Sequence, residues 1–164
     1  VRDVSMAIRI CVAPGVCSLT PEQNAGTVCV WCPAALLPGE GIDLGGSGPW
    51  LPHACPACYH AQTAALATYY DWIEHHQQCE PCRSVPCEQS LALRHAAMRA
   101  REEAGRPPPL CASCLEVIGP GEGCIPLVWD GNGRPVLSIL HTGPCAYPRR
   151  GFSIHVPPPA GGEW

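Results

Sequence analysis

Apolar positions recur at helical spacing in two stretches of the chain. Tyr59, Thr63, Leu66, Tyr69 or Tyr70, and Ile73 fall at three- and four-residue intervals with no Gly or Pro between them, which predicts a helix over 59–78 starting directly after Cys58. A second helix is predicted over 86–104. Pro86 suits its first turn, Gly105 marks its end and Pro107-Pro108-Pro109 stop it. Leu91, His95 and Met98 give this helix a narrow apolar stripe, while Arg94, Arg99, Arg101 and Arg106 among Glu102 and Glu103 read as a solvated face. Strand signals are fewer. The runs Ile125–Trp129 and Val136–Leu140 flank Asp130-Gly131-Asn132-Gly133, a hairpin signature, and Val4–Val12 predicts a short strand ended by Pro14-Gly15.

Composition limits what these elements can bury. In 164 residues there are 20 Pro, 17 Gly and one Phe, so long elements are few and the core is thin. Chains of this kind are held by disulfides or metal rather than by burial alone. The 13 cysteines decide between the two. Their odd number, their C-x2-C spacings and the accompanying histidines favour metal over disulfides. No secretory signal is read in the N-terminal apolar run, which is short and broken by Arg9. Nor does any run approach the ~20 apolar residues of a membrane span. A soluble, cytoplasmic protein is expected. The formal charge of -4 and pI near 5.9 argue against broad, non-specific DNA binding. Every basic residue is Arg, which with abundant Ala, Gly and Pro points to coding bias.

The chemistry is carried by a repeated unit. Cys29-Val-Trp-Cys32 precedes Pro38-Gly39-Glu40-Gly41 and, after a Gly-rich loop, Cys55-Pro-Ala-Cys58. Cys111-Ala-Ser-Cys114 precedes Pro120-Gly121-Glu122-Gly123 by the same gap and is followed by His141 and Cys145. Two cysteines three apart in a tight turn can aim both sulfurs at one ion, and a second pair completes a tetrahedron. The repetition of ligands, spacing and turn together reads as two copies of one zinc-binding unit. The first site is assigned to Cys29, Cys32, Cys55 and Cys58, with His53 as the competitor of Cys55. The second copy is assigned Cys111, Cys114, His141 and Cys145, the hairpin returning the last two to the first two; Cys124 reads as an apolar strand residue.

A further site lies between the copies. His75 and Cys79 are one helical turn apart on one face, Cys82 follows, and Cys87 is the fourth ligand by proximity, with His76 as its alternative. Cys11 and Cys17 fit no zinc knuckle. The resulting fold class is a small, metal-dominated α+β chain: two zinc-finger-like units, each a knuckle plus hairpin or helix, joined by two helices and Pro/Gly-rich loops. Its parts are a weakly structured lead-in (1–28), a first zinc unit with two helices and a second metal site (29–106), a proline spacer (107–110), a second zinc unit with a β-hairpin (111–145) and a disordered tail (146–164). Up to three zinc ions are expected.

A knuckle followed by a loop and a Cys pair at a helix N-terminus resembles the treble-clef arrangement of zinc fingers. The His75-x3-Cys79-x2-Cys82 segment resembles zinc-binding anti-sigma factors over eight residues. About two thirds of the chain is similar in architecture to the small cysteine-rich zinc-finger proteins of actinobacteria and their phages. The resemblance implies zinc and a regulatory setting, and carries little about activity.

Twelve ligands in three complete sets predict closed, structural sites rather than an enzyme, and neither H-x-E before P-C-x-x-C nor H-E-x-x-H is present. The expected function is a zinc-stabilised, non-enzymatic interaction or regulatory module with a protein partner. The alternatives are a nucleic-acid-binding zinc finger, with Arg149-Arg150 and the Arg-bearing helix as phosphate contacts, and a redox protein using the Cys55-Pro-Ala-Cys58 dithiol, which looks like that of glutaredoxins.

Overall fold

The structure is a computed structural model and describes residues 4–14, 18–130 and 135–143. The chain is a small α+β protein with four helices and two small antiparallel sheets among the described residues. It divides into two compact units, Val1–Pro107 and Pro108–Trp164.

The first unit begins with a helical turn where the sequence predicts a strand. Helix α1 (Ser5–Ala7) widens into a π-helical turn over Ile8–Val12. The reason lies in Val4 and Ile8, which are four apart and both buried, a helical spacing rather than an alternating one. The Ile8 N–H donates to the Val4 carbonyl at 2.9 Å. Thr20 then caps α2 (Pro21–Asn24) reciprocally with Gln23, each side chain accepting from the other's backbone N–H. The Gln23 side chain also donates to the Cys29 carbonyl at 3.0 Å, which ties α2 to the first cysteine. Strands β1 (Ile42–Asp43) and β2 (His53–Ala54) pair antiparallel just ahead of Cys55.

Two helices make up the rest of this unit. Helix α3 (Pro56–Gln78) spans about 34 Å and α4 (Glu88–Glu103) packs against it. They run antiparallel. Trp72 of α3 is fully buried and donates to Ser90 near the start of α4 at 3.2 Å, while Gln62 near the start of α3 donates to the Ala104 carbonyl just past the end of α4. Helix α3 starts at Pro56, earlier than the periodicity predicts, because Cys55 caps it and Pro occupies the first helical position without losing a hydrogen bond.

The buried face of α4 differs from the predicted stripe. Ser90, Arg94, Ala97 and Ala100 are inside, whereas Leu91 is 42% exposed and His95 is exposed. Small Ser and Ala side chains let α4 lie close to α3, whose Trp72 and Leu66 supply the bulk. Arg94 and Arg106 therefore do not belong to a solvated face. Arg94 is buried, and Arg106 donates to the buried Gln62 side chain at 2.6 Å.

The second unit is built on the hairpin β3 (Cys124–Asp130) and β4 (Pro135–His141), paired in register from Cys124↔His141 to Asp130↔Pro135. Residues 131–134, where the sequence predicts the hairpin connection, lie outside the described residues, as do Cys17, Cys145 and residues 146–164. The Ala112 N–H donates to the Ile139 carbonyl at 2.8 Å, joining the Cys111–Cys114 loop to β4.

The backbone around the two knuckles repeats. Cys29 N–H bonds the Ala34 carbonyl as Cys111 N–H bonds that of Glu116, and Leu36 bonds Thr27 as Ile118 bonds Pro109. Glu40 turns back on Leu37 as Glu122 does on Gly119. The bridges Val28↔Ala35 and Leu110↔Val117 are also equivalent. Each pair is separated by the same interval along the chain, so the repeat of sequence is a repeat of hydrogen bonding.

Trp72 is the largest fully buried side chain of the helical pair. Trp72→Ala should destabilise the first unit by about 3–5 kcal/mol in denaturant unfolding with metal present. A loss under about 1 kcal/mol would show that the α3–α4 contact contributes little.

Candidate metal centres

Three clusters of Cys and His side chains form among the described residues, and in each the donor atoms lie within 4.8 Å of one another. Cys29, Cys32, Cys55 and Cys58 form site 1; His75, Cys79, Cys82 and Cys87 form site 2; Cys111, Cys114 and His141 form site 3.

Site 1 joins a knuckle to a helix start. The knuckle turn directs the Trp31 N–H at the Cys29 sulfur at 3.5 Å. Cys55 is the N-cap of α3, and its sulfur accepts from the Cys58 N–H at 3.4 Å. The Cys32 and Cys55 sulfurs are 3.8 Å apart. Burial works to raise the Cys29 thiol, yet backbone hydrogen bonds from Cys55, Trp31 and Cys32 outweigh it and hold the group below its ordinary value. Burial and the neighbouring sulfurs push Cys58 well up.

Site 2 closes the turn between α3 and α4. His75 sits in the last turn of α3 and Cys79 is its C-cap. Cys82 lies on a 3₁₀ turn (Pro81–Arg83), and Cys87 caps α4, its sulfur accepting from the Ser90 N–H at 3.4 Å. The His75 Nε2 atom is 3.1 Å from the Cys87 sulfur and 3.6 Å from that of Cys82. Cys87 is 3.5 Å from Cys82 and 3.8 Å from Cys79. The Ser90 N–H, then His75, lower the Cys87 thiol to about 6. For Cys79 a backbone hydrogen bond from Cys82 favours ionisation, but burial and the sulfurs of Cys82 and Cys87 together raise it.

Site 3 joins the second knuckle to the end of β4. Cys111 is fully buried, and the Cys114 sulfur lies 3.5 Å from His141 Nδ1. Burial opposes ionisation of Cys111, but backbone hydrogen bonds from Cys114, His141 and Ser113 prevail and lower it to about 6.

These distances discriminate between the ways cysteines can be used. Bonded sulfurs lie about 2.05 Å apart. Thiolates around a tetrahedral ion with metal–sulfur bonds near 2.3 Å lie about 3.8 Å apart. The observed sulfur pairs, at 3.5–3.8 Å, match the second case. The ionisation pattern agrees. In sites 1 and 2 one sulfur is eased toward thiolate while a neighbour resists, because adjacent negative charges repel at this range. A divalent cation relieves that repulsion and lets the remaining thiols ionise. The donor sets therefore fit a metal ion.

The structure brings together eleven of the twelve residues assigned from sequence; the twelfth, Cys145, lies outside the described residues. Two alternatives lie outside the clusters. His53 is not in site 1: its Nδ1 is 2.7 Å from the Leu51 carbonyl, and its ring covers Gly26, where an added Cβ would come within 2.5 Å of it. His76 is not in site 2; burial and the adjacent His75 lower its pKa, and Cys87 takes the fourth place. Cys124 is buried on β3 outside the clusters. Sequence reasoning missed the capping roles of Cys55 and Cys87, because propensity assigns caps to Ser, Thr, Asp and Asn. It also passed over Glu122, whose carboxylate lies 3.4 Å from His141 Nε2, although the repeated Pro-Gly-Glu-Gly turn marked the position. Comparison with family models, with curated proteins and with solved structures returned no match.

Each cluster draws its ligands from within one unit. Cys114→Ser should therefore unfold the region from Cys111 to His141 while amide protection in α3 and α4 stays unchanged by hydrogen exchange. Loss of protection in both units together would show that they share one cooperative core.

Proposed function

We propose that this chain is a zinc-stabilised, non-enzymatic interaction or regulatory module acting in the cytoplasm. The observation that carries the reading is the donor set of sites 1 and 2. Four sulfurs at one, three sulfurs and an imidazole at the other, would supply all four ligands of a tetrahedral ion and leave no open position on it. Thiolate with imidazole is a donor combination suited to zinc. Among the described residues no helix is long and apolar enough to cross a membrane.

The two other readings have less support. For a dithiol redox centre, Cys55 and Cys58 stand at a helix start as required, but their sulfurs belong to a set of four with Cys29 and Cys32. For nucleic-acid binding, Arg94 and Arg106 are spent inside the helical pair, which removes two of the phosphate contacts that reading invoked. A closed metal scaffold with net charge -4 favours a protein partner.

Native mass spectrometry under reducing conditions should give three zinc ions per chain. One or none would remove the structural-zinc reading. Retention on DNA or RNA columns should be weak and nearly independent of salt; affinity falling steeply between about 50 and 200 mM salt would move the function to nucleic acid.

A further inference from the structure

We infer that Glu122 is the positioning carboxylate of site 3, holding His141 with Nε2 protonated and Nδ1 turned to the metal. The inference rests on the metal-binding reading above and concerns how the third site selects one of the two imidazole nitrogens.

Three observations converge. His141 Nδ1 faces the Cys114 sulfur at 3.5 Å, on the ligand side of the ring. Its Nε2 faces the Glu122 carboxylate at 3.4 Å, on the other side. The same carboxylate oxygen accepts the Gly119 N–H at 2.7 Å, so the backbone anchors it beside the imidazole. The turn that carries it is closed by the Glu122 N–H on the Gly119 carbonyl at 3.2 Å. An imidazole that binds metal through one nitrogen donates its other N–H to an acceptor, which sets the tautomer and raises the basicity of the ligating atom. Glu122 supplies that acceptor here.

The first copy makes the contrast. Glu40 occupies the equivalent turn, closed in the same way on Leu37, but site 1 is all cysteine and has no imidazole to orient. The shared turn thus has an added role only where a histidine is a ligand. Glu122 is 55% exposed in its side chain, and an exposed pair of this kind adds little to folding stability. Its effect should appear in metal affinity and tautomer.

The test uses the full, zinc-loaded, 15N-labelled chain. Long-range 1H–15N spectra should show His141 bound through Nδ1 with Nε2 protonated. In competition with a chromophoric chelator, Glu122→Ala should weaken one of the three zinc ions roughly 10- to 100-fold and leave two unchanged. Glu122→Gln, whose amide oxygen still accepts, should recover part of the loss, and Glu40→Ala should change nothing. A metal-bound Nε2 in the unaltered chain, or zinc affinities within about twofold after Glu122→Ala, would overturn the inference while leaving the metal reading intact. If Cys111, Cys114 and His141 hold no zinc in the unaltered chain, the metal reading of site 3 falls and this inference with it.

Discussion

Convergence of cysteine sulfurs and an imidazole at 3.1–3.8 Å is the constraint on which the remaining structure depends. Sulfurs held that close repel once ionised and hydrogen-bond poorly when they are not. They stay together only if a cation neutralises them or the backbone forces them. Here the backbone contributes through N–H groups aimed at Cys29, Cys55, Cys87 and Cys111, and the donor sets fit a cation that would supply the rest. The apolar interior could not impose such an arrangement. Among the described residues the largest fully buried apolar side chains are Trp72, Ile8 and Leu66.

The sites also organise the helices. Helix α3 begins at a cysteine of site 1 and ends at a histidine and a cysteine of site 2, and α4 begins at another cysteine of site 2. A sulfur carrying negative charge at a helix N-terminus accepts an otherwise unpaired N–H and opposes the positive end of the helix dipole. The same two cysteines, Cys55 and Cys87, therefore start a helix and belong to a cluster that could hold a metal. Site 2 additionally clamps the turn between antiparallel helices, so its loss would free the α4 N-terminus from Trp72.

How much of this was legible in the sequence depended on how local the signal was. The clusters were legible because knuckle spacing and the His75/Cys79 pair are properties of a few consecutive residues, and the repeated turn carried over into repeated hydrogen bonds. The two long helices were legible from Leu66 and Ile73 and from the bounding Pro and Gly residues. The buried face of α4 was not. Apolarity pointed to Leu91 and Met98, whereas close packing against α3 buried Ser90, Ala97 and Ala100, a choice made by the partner helix. The segment after Val4 failed in a similar way: its apolar run suited a strand, and packing of Val4 and Ile8 on one side made it helical. The placement of His53 outside the cluster goes with its contact to the Leu51 carbonyl, which spacing does not encode.

Far-UV circular dichroism and thermal unfolding during exhaustive chelation, with thiols kept reduced, test the dependence of this fold on metal most directly. Structural zinc contributes roughly 10–16 kcal/mol of apparent binding energy, more than a thin core can replace. The account predicts that α3 and α4 lose most of their helical signal and that the unfolding transition disappears, both returning when zinc is restored. A metal-free, reduced chain that keeps its helical signal and a cooperative transition would contradict it.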